Sequence, residues 1–148
     1  KKPMMDIHPP GTEFKIGKSI VVKKGEDLVI LATGETLQRA YLASEILKES
    51  NIHCSIISMH TIKPFDKKTF IEFSQNSKAI LTVEEHSIFG GLGECCASLI
   101  AQNNINVKLK ILGIPDEYMI NGSQADVLDH YDMSPEKIVK ISKDLLNK

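Results

Sequence analysis

The chain lacks the features that mark several protein classes. No apolar run approaches the roughly 18 residues that a membrane-spanning helix requires, and no signal peptide is visible. An excess of one charge is also missing. The formal net charge is −1, which gives no electrostatic footprint for nucleic acid or an anionic membrane. The lysines are scattered and read as solvating helix faces. Cysteine is scarce: Cys54, Cys95 and Cys96 are three in number, and neighbours in a helix cannot readily bridge each other. No CxxC spacing exists, and His53-Cys54 alone is a poor metal signature, so no metal site is expected. The thiols read as small, reduced, buried side chains, which suits a cytoplasmic protein.

What is present is ordinary for a globular domain. The 148 residues are 42% hydrophobic and 25% charged, enough for one domain with a self-sufficient core. The sequence opens at Lys1 without an initiator Met, which raises the expectation of a fragment of something longer. Residues 1–17 carry Pro3, Pro9, Pro10 and Gly11 and read as an irregular lead-in or linker. The domain is then expected over 18–148.

Within it, apolar patterning alternates between two periods. Residues 19–22 form a short β-rich run, and Leu28-Val29-Ile30-Leu31-Ala32 is a continuous apolar run typical of a strand buried on both faces. Leu37, Ala40, Tyr41, Ala43, Ser44 and Leu47 recur at helical spacing as far as about Glu49. The pattern repeats with a strand at 54–59 and a helix capped by Asp66 and running to about Ser74. A strand over 79–83 and a helix over 91–102 follow. Residues 107–112 alternate apolar and charged, as a strand near a sheet edge would. The remainder is expected to be helical in two pieces. Gly122-Ser123-Gln124 reads as one helix start, and Ser134-Pro135 as the cap and first position of the last helix, with stripe Ile138, Ile141, Leu145 and Leu146. Strands alternating with helices at this spacing specify an α/β fold: a doubly wound three-layer sandwich, α/β/α, around a parallel sheet.

The most informative segment is Val83-Glu84-Glu85-His86-Ser87-Ile88-Phe89-Gly90-Gly91-Leu92-Gly93. It places two carboxylates and a histidine just beyond the carboxyl end of a strand, where open α/β sheets put ligands or partner contacts. Gly90, Gly91 and Gly93 could cradle a phosphate on free helix amides. Glu84 and Glu85 would repel such a group and are free to satisfy those amides themselves, so packing of backbone against a neighbour is the favoured use. His86 is a candidate for proton transfer, although its acidic neighbours favour a charged, hydrogen-bonding role. His8, His53, His60 and His130 read as surface or capping residues. Lys63-Pro64-Phe65-Asp66 reads either as a binding loop or as a rigid turn with a helix cap.

These residues carry a resemblance. Thr61-Ile62-Lys63-Pro64-Phe65-Asp66, then Val83-Glu84-Glu85-His86 with Gly90-Gly91-Leu92-Gly93, resemble the carboxy-terminal domain of the transketolase family. Gly113-Ile114-Pro115-Asp116, Gly122-Ser123, Leu128 and Tyr131 fit in the same order, and Pro9-Pro10-Gly11-Thr12-Glu13 is similar to the linker that enters that domain. One departure is Tyr131-Asp132-Met133, where the family usually has glycine after the tyrosine, so that turn is expected to differ.

The resemblance implies a Rossmann-like, five-stranded, mostly parallel sheet whose first strand runs antiparallel. It also implies membership of a thiamine diphosphate- and Mg2+-dependent, homodimeric enzyme that transfers ketol units between sugar phosphates. The family's pyrophosphate-binding and pyrimidine-binding domains hold the coenzyme, and the Gly-Asp-Gly of the former is absent here. The chain is therefore expected to bind no cofactor, to be inactive alone, and to support assembly and shape the substrate entrance. Three other readings remain open: the equivalent domain of deoxyxylulose-phosphate synthase or of a 2-oxoacid dehydrogenase E1 β subunit; a self-standing module binding a small anion or a protein at the 90–93 turn; and an independent enzyme using Glu84, Glu85 and His86.

Overall fold

The computed structural model describes residues 5–147, so the lead-in residues 1–4, with Pro3, and Lys148 lie outside the described residues. Strand β2 (Leu28–Ala32) is buried along its whole length. Its alternate side chains serve two cores. Leu28, Ile30 and Ala32 face one, and Val29 and Leu31 face the other. Burying five such residues out of water stabilises the fold by about 1.5–3 kcal/mol for each large side chain, provided that both faces are covered.

Helices supply the cover. The helix α1 (Thr36–Glu49) buries Leu37, Ala40, Ala43 and Leu47, spaced at three and four residues as helical geometry demands. It shares its face of the sheet with α5 (Pro135–Leu146), which packs directly against it. On the opposite face lie α2 (Lys67–Gln75) and α3 (Leu92–Gln102), burying Phe70, Leu92 and Cys96. The remaining strands are β1 (Ile20–Lys23), β3 (Cys54–Ser58), β4 (Ala79–Ser87) and β5 (Lys108–Ile114). Among the described residues the five strands form one sheet in the order β1-β3-β2-β4-β5. All neighbouring pairs are parallel except β1 with β3, which is antiparallel. This is the expected three-layer sandwich with its first strand reversed. No helix among the described residues is long and apolar enough to cross a membrane.

Local signals mark the starts of three helices. Asp66 caps α2, accepting from Thr69 N at 3.3 Å, and its other oxygen accepts from the Ser19 amide at 2.9 Å and the Ser19 hydroxyl at 3.0 Å. Burial alone would raise this carboxyl, but the hydrogen bonds from Ser19 and Thr69 outweigh it and hold it below the ordinary aspartate value. One side chain thus ties the entry to β1 to the start of α2, so Lys63-Pro64-Phe65-Asp66 is a turn with a cap. Ser123 and Asp126 form a reciprocal capping box for α4 (Gln124–His130). Ser134 caps α5, with Pro135 at its first position.

Cys54 and Cys96 are buried, as expected, and burial pushes the Cys54 thiol up to about 12 and raises Cys96 as well. Cys95 departs from the expectation. It is half-buried, because α3 presents its flank there.

The turn at Tyr131-Asp132-Met133 keeps the backbone a glycine would adopt. Asp132 sits at φ 61°, in the left-handed region, and its carboxylate accepts from Lys137 Nζ at 2.7 Å. Aspartate tolerates this region better than most residues, yet a Cβ there still carries a steric cost. Asp132→Gly is therefore expected to raise unfolding stability by about 0.5–1 kcal/mol, read from urea denaturation. A loss of stability would show that the ion pair outweighs the relief of the backbone.

Candidate functional site

Strand order identifies the cleft first. From β2 the chain crosses through α1 to β3 on one side, and from β3 it crosses through α2 to β4 on the other. The carboxyl ends of β2 and β4 therefore flank the point where connections reverse, the usual ligand crevice of an open α/β sheet. Thr33, Gly34 and Glu35 leave β2 there, and Glu85 faces them from β4. The charged segment of β4 thus reaches this crevice through Glu85.

Its local structure differs from the expected one. Glu84, Glu85 and His86 were expected in a loop beyond a strand ending at Val83, but β4 continues through them to Ser87. The register with β5 shifts between Val83 and Ser87 and resumes at Ser87 opposite Ile114. That irregularity lets the strand carry polar residues past the core without losing its partner. Alternation then sends Glu84 and His86 to the α3 face and Glu85 away from it.

Glu84 is fully buried. Its Oε2 accepts from Leu92 N at 2.6 Å and its Oε1 from Gly93 N at 2.9 Å. These are orphan donors at the start of α3, where a carboxylate also meets the positive end of the helix dipole. The N-cap residue, Gly91, has no side chain, so a glutamate eight residues upstream of Leu92 does the capping. A Cβ on Gly91 would fall within the Glu84 carboxylate, and one on Gly93 would collide with Ile111. Both glycines are required by close approach, the packing role favoured from sequence. Burial pushes the Glu84 carboxyl above the ordinary glutamate value, against the pull of the Gly93 and Leu92 amides and of His86.

His86 Nδ1 lies 3.3 Å from Glu84 Oε2 and 3.1 Å from the Ser87 carbonyl. Both neighbours accept, so this nitrogen carries the hydrogen. The ring props the buried carboxylate and leaves its other edge toward solvent. Glu85 bridges two helix starts, accepting from Glu35 N at 3.4 Å and from Gln124 Nε2 at 3.0 Å. Gly90 N donates to Glu94 Oε2 at 2.7 Å.

The turn thus answers its own amides with carboxylates. A phosphate at 90–93 would have to displace Glu84 and Glu94 and then sit beside them, so the arrangement opposes anion binding. Nor do the residues fit a magnesium-bound diphosphate. Among the described residues no group of three His, Cys, Asp or Glu side chains is placed to hold a metal ion. Of the sequence candidates, Glu84, His86, Gly91 and Gly93 come together in one cluster. Glu85 faces the β2 side, and Gly90 joins through Glu94. Sequence reasoning missed the roles of Glu35, Gln124 and Glu94. Only Glu94 carried a local signal, an acid in the first turn of a helix.

Fold and site together define an open-sheet α/β domain whose β4–α3 turn is closed by its own side chains. The chain belongs to the transketolase C-terminal domain family, whose model, described as "Transketolase, C-terminal domain", matches residues 17–138. It is 42% identical over 127 residues to a putative transketolase C-terminal section of Methanocaldococcus jannaschii, covering 86% of this chain and 39% of that protein. It is 37% identical over 136 residues to one of the subunits of apulose-4-phosphate transketolase from Phocaeicola vulgatus, covering 92% of this chain and 43% of that one. A solved structure described as "Split gene transketolase, inactive beta4 tetramer" superposes with a TM-score of 0.89 at 25% identity, over 97% of this chain and 46% of its own. The chain thus spans less than half the length of each of these relatives.

The buried carboxylate generates a stability prediction. Glu84→Ala leaves two buried helix amides without acceptors and is expected to cost about 3 kcal/mol, and Gly93→Ala about 2 kcal/mol through overpacking. Urea denaturation of both variants checks this. Losses below about 0.5 kcal/mol would mean that the turn relaxes and water takes over the amides.

Proposed function

We propose that this chain is the C-terminal domain of a transketolase-type enzyme, with 18–148 as the domain and 1–17 as its lead-in. It supports assembly and does no chemistry of its own. The supporting observation is the self-satisfied β4–α3 turn. His86 Nδ1 is engaged by Glu84 and the Ser87 carbonyl, so the ring serves the buried carboxylate that caps α3. The turn that resembles a phosphate cradle is filled by carboxylates. Thiamine diphosphate and Mg2+ belong, on this reading, to pyrophosphate-binding and pyrimidine-binding domains elsewhere in the same enzyme or on a partner subunit. The complete enzyme is a homodimer or a larger assembly built from such subunits, acting in the cytoplasm on sugar phosphates.

Split-subunit relatives favour an enzyme divided between polypeptides, because two of the most similar proteins are a C-terminal section and a single subunit of a transketolase. A second reading, the equivalent domain of a synthase, is supported by 28% identity over 134 residues to 1-deoxy-D-xylulose-5-phosphate synthase of Heliobacterium modesticaldum. The higher identity of the transketolase relatives ranks it second.

The test is reconstitution. The purified chain is expected to show no heat of binding with thiamine diphosphate and Mg2+ at millimolar concentration, and no turnover. Added to a polypeptide carrying the two coenzyme-binding domains, it is expected to co-elute with it and to raise ketol transfer from a pentulose phosphate. Tight coenzyme binding by the chain alone, or activity unchanged by its addition, would overturn the proposal. Acceptance of pyruvate and glyceraldehyde phosphate in place of the pentulose would select the synthase reading.

A further inference from the structure

The lead-in does more than connect. Residues 5–14 run across the crevice at the ends of β2 and β4 and wall a cavity of about 610 Å3 whose floor includes Gly34, Leu37 and Gln38. Three rings in series fasten this strap. His8 meets Phe14 edge-on at 4.9 Å, and Phe14 meets His60 at 5.1 Å, His60 lying just past the end of β3. His60 Nε2 lies 3.0 Å from the Lys15 carbonyl, so that nitrogen donates and Nδ1 is left bare. Gly17 N donates to Thr61 Oγ1 at 2.9 Å just below.

Each imidazole hides one nitrogen without a partner. His8 Nε2 and His60 Nδ1 are both buried and make no hydrogen bond. A neutral ring tolerates a bare nitrogen there. A protonated ring has two donors and a charge, and the hidden N–H would have nothing to meet.

We propose that residues 5–17 form a pH-sensitive strap, in which proton uptake by His8 unfastens its ring from Phe14 and opens the cavity at the β2 and β4 ends. Three carboxylates line the same cavity, Asp6 on the strap, Glu35 at the start of α1 and Glu85 on β4. Near the clasp, Lys15 is paired with Glu13 at 3.0 Å. Burial holds His8 below its ordinary value of 6.5, and charge on His60 lowers it further. The closed strap therefore binds fewer protons than the open one. Its stability is whole above pH 6.5 and falls as the pH drops from there towards the His8 value in the closed state. Over that window the opening constant rises by up to about tenfold per pH unit for each proton taken up. This inference does not rest on the transketolase reading.

Hydrogen exchange of the full chain, read by mass spectrometry between pH 7.5 and 5.5 and corrected for the intrinsic pH dependence of exchange, tests it. Peptides from residues 5–17 are expected to lose protection progressively as the pH falls below 6.5, while β2 peptides hold theirs. His8→Phe keeps a ring and removes the titration, so it should flatten the dependence. Strap protection that does not change with pH, an undiminished dependence in His8→Phe, or an equal loss in β2 would overturn the proposal. The His8 ring, followed by NMR in the unsubstituted chain, gives a reading independent of the variant. A midpoint below 6.5 is expected, and one at or above it would overturn the proposal.

Discussion

Five consecutive apolar residues in β2 cannot be left wet on either face, and the architecture follows from that constraint. One helix layer must lie on each side of the strand. Chain connections between parallel neighbours are right-handed crossovers, and helices on both faces therefore require the chain to step first to one side of β2 and then to the other. The order β1-β3-β2-β4-β5 is the result. The crevice at the ends of β2 and β4 is a consequence of this covering problem, and it exists before any ligand is considered.

What the protein does with that crevice is unusual in detail. Glu84 is a carboxylate removed from water and placed on a helix terminus, with His86 propped against it. Desolvation opposes this arrangement, and two charge-assisted hydrogen bonds with the helix dipole offset it. Residues of the kind that elsewhere do acid–base work are here used to join a strand to a helix. Glu85 repeats the device on the other face by joining the starts of α1 and α4. Charged residues at a strand's carboxyl end are therefore insufficient grounds for chemistry. Their hydrogen-bond partners decide.

Most of the fold was legible because its signals are local. Apolar runs, helical spacing and the caps at Asp66, Ser123 and Ser134 act within a few residues of one another. The extent of β4 was hidden, because polarity at Glu84 and Glu85 reads as the end of a strand unless the helix amides that receive Glu84 are known. Contacts across long separations were equally hidden. Nothing local ties Ser19 to Asp66, Asp27 to Lys78 or Glu85 to Gln124. The ring series from His8 to His60 spans 52 positions and leaves no trace in periodicity. Asp132 shows the converse: the departure from glycine was plain in sequence, and the structure keeps the left-handed turn regardless.

One of the two edge strands, β5, has its own implication for contacts with other polypeptides. In β5, Lys108 and Lys110 are exposed and alternate with half-buried Leu109 and Ile111, and Lys108 reaches the Leu145 carbonyl at the end of α5. Ammonium groups along a sheet margin discourage another polypeptide from docking there as an additional ribbon. A polypeptide that meets this margin is therefore held by side chains and does not extend the sheet. Runaway stacking into fibres through this margin is disfavoured.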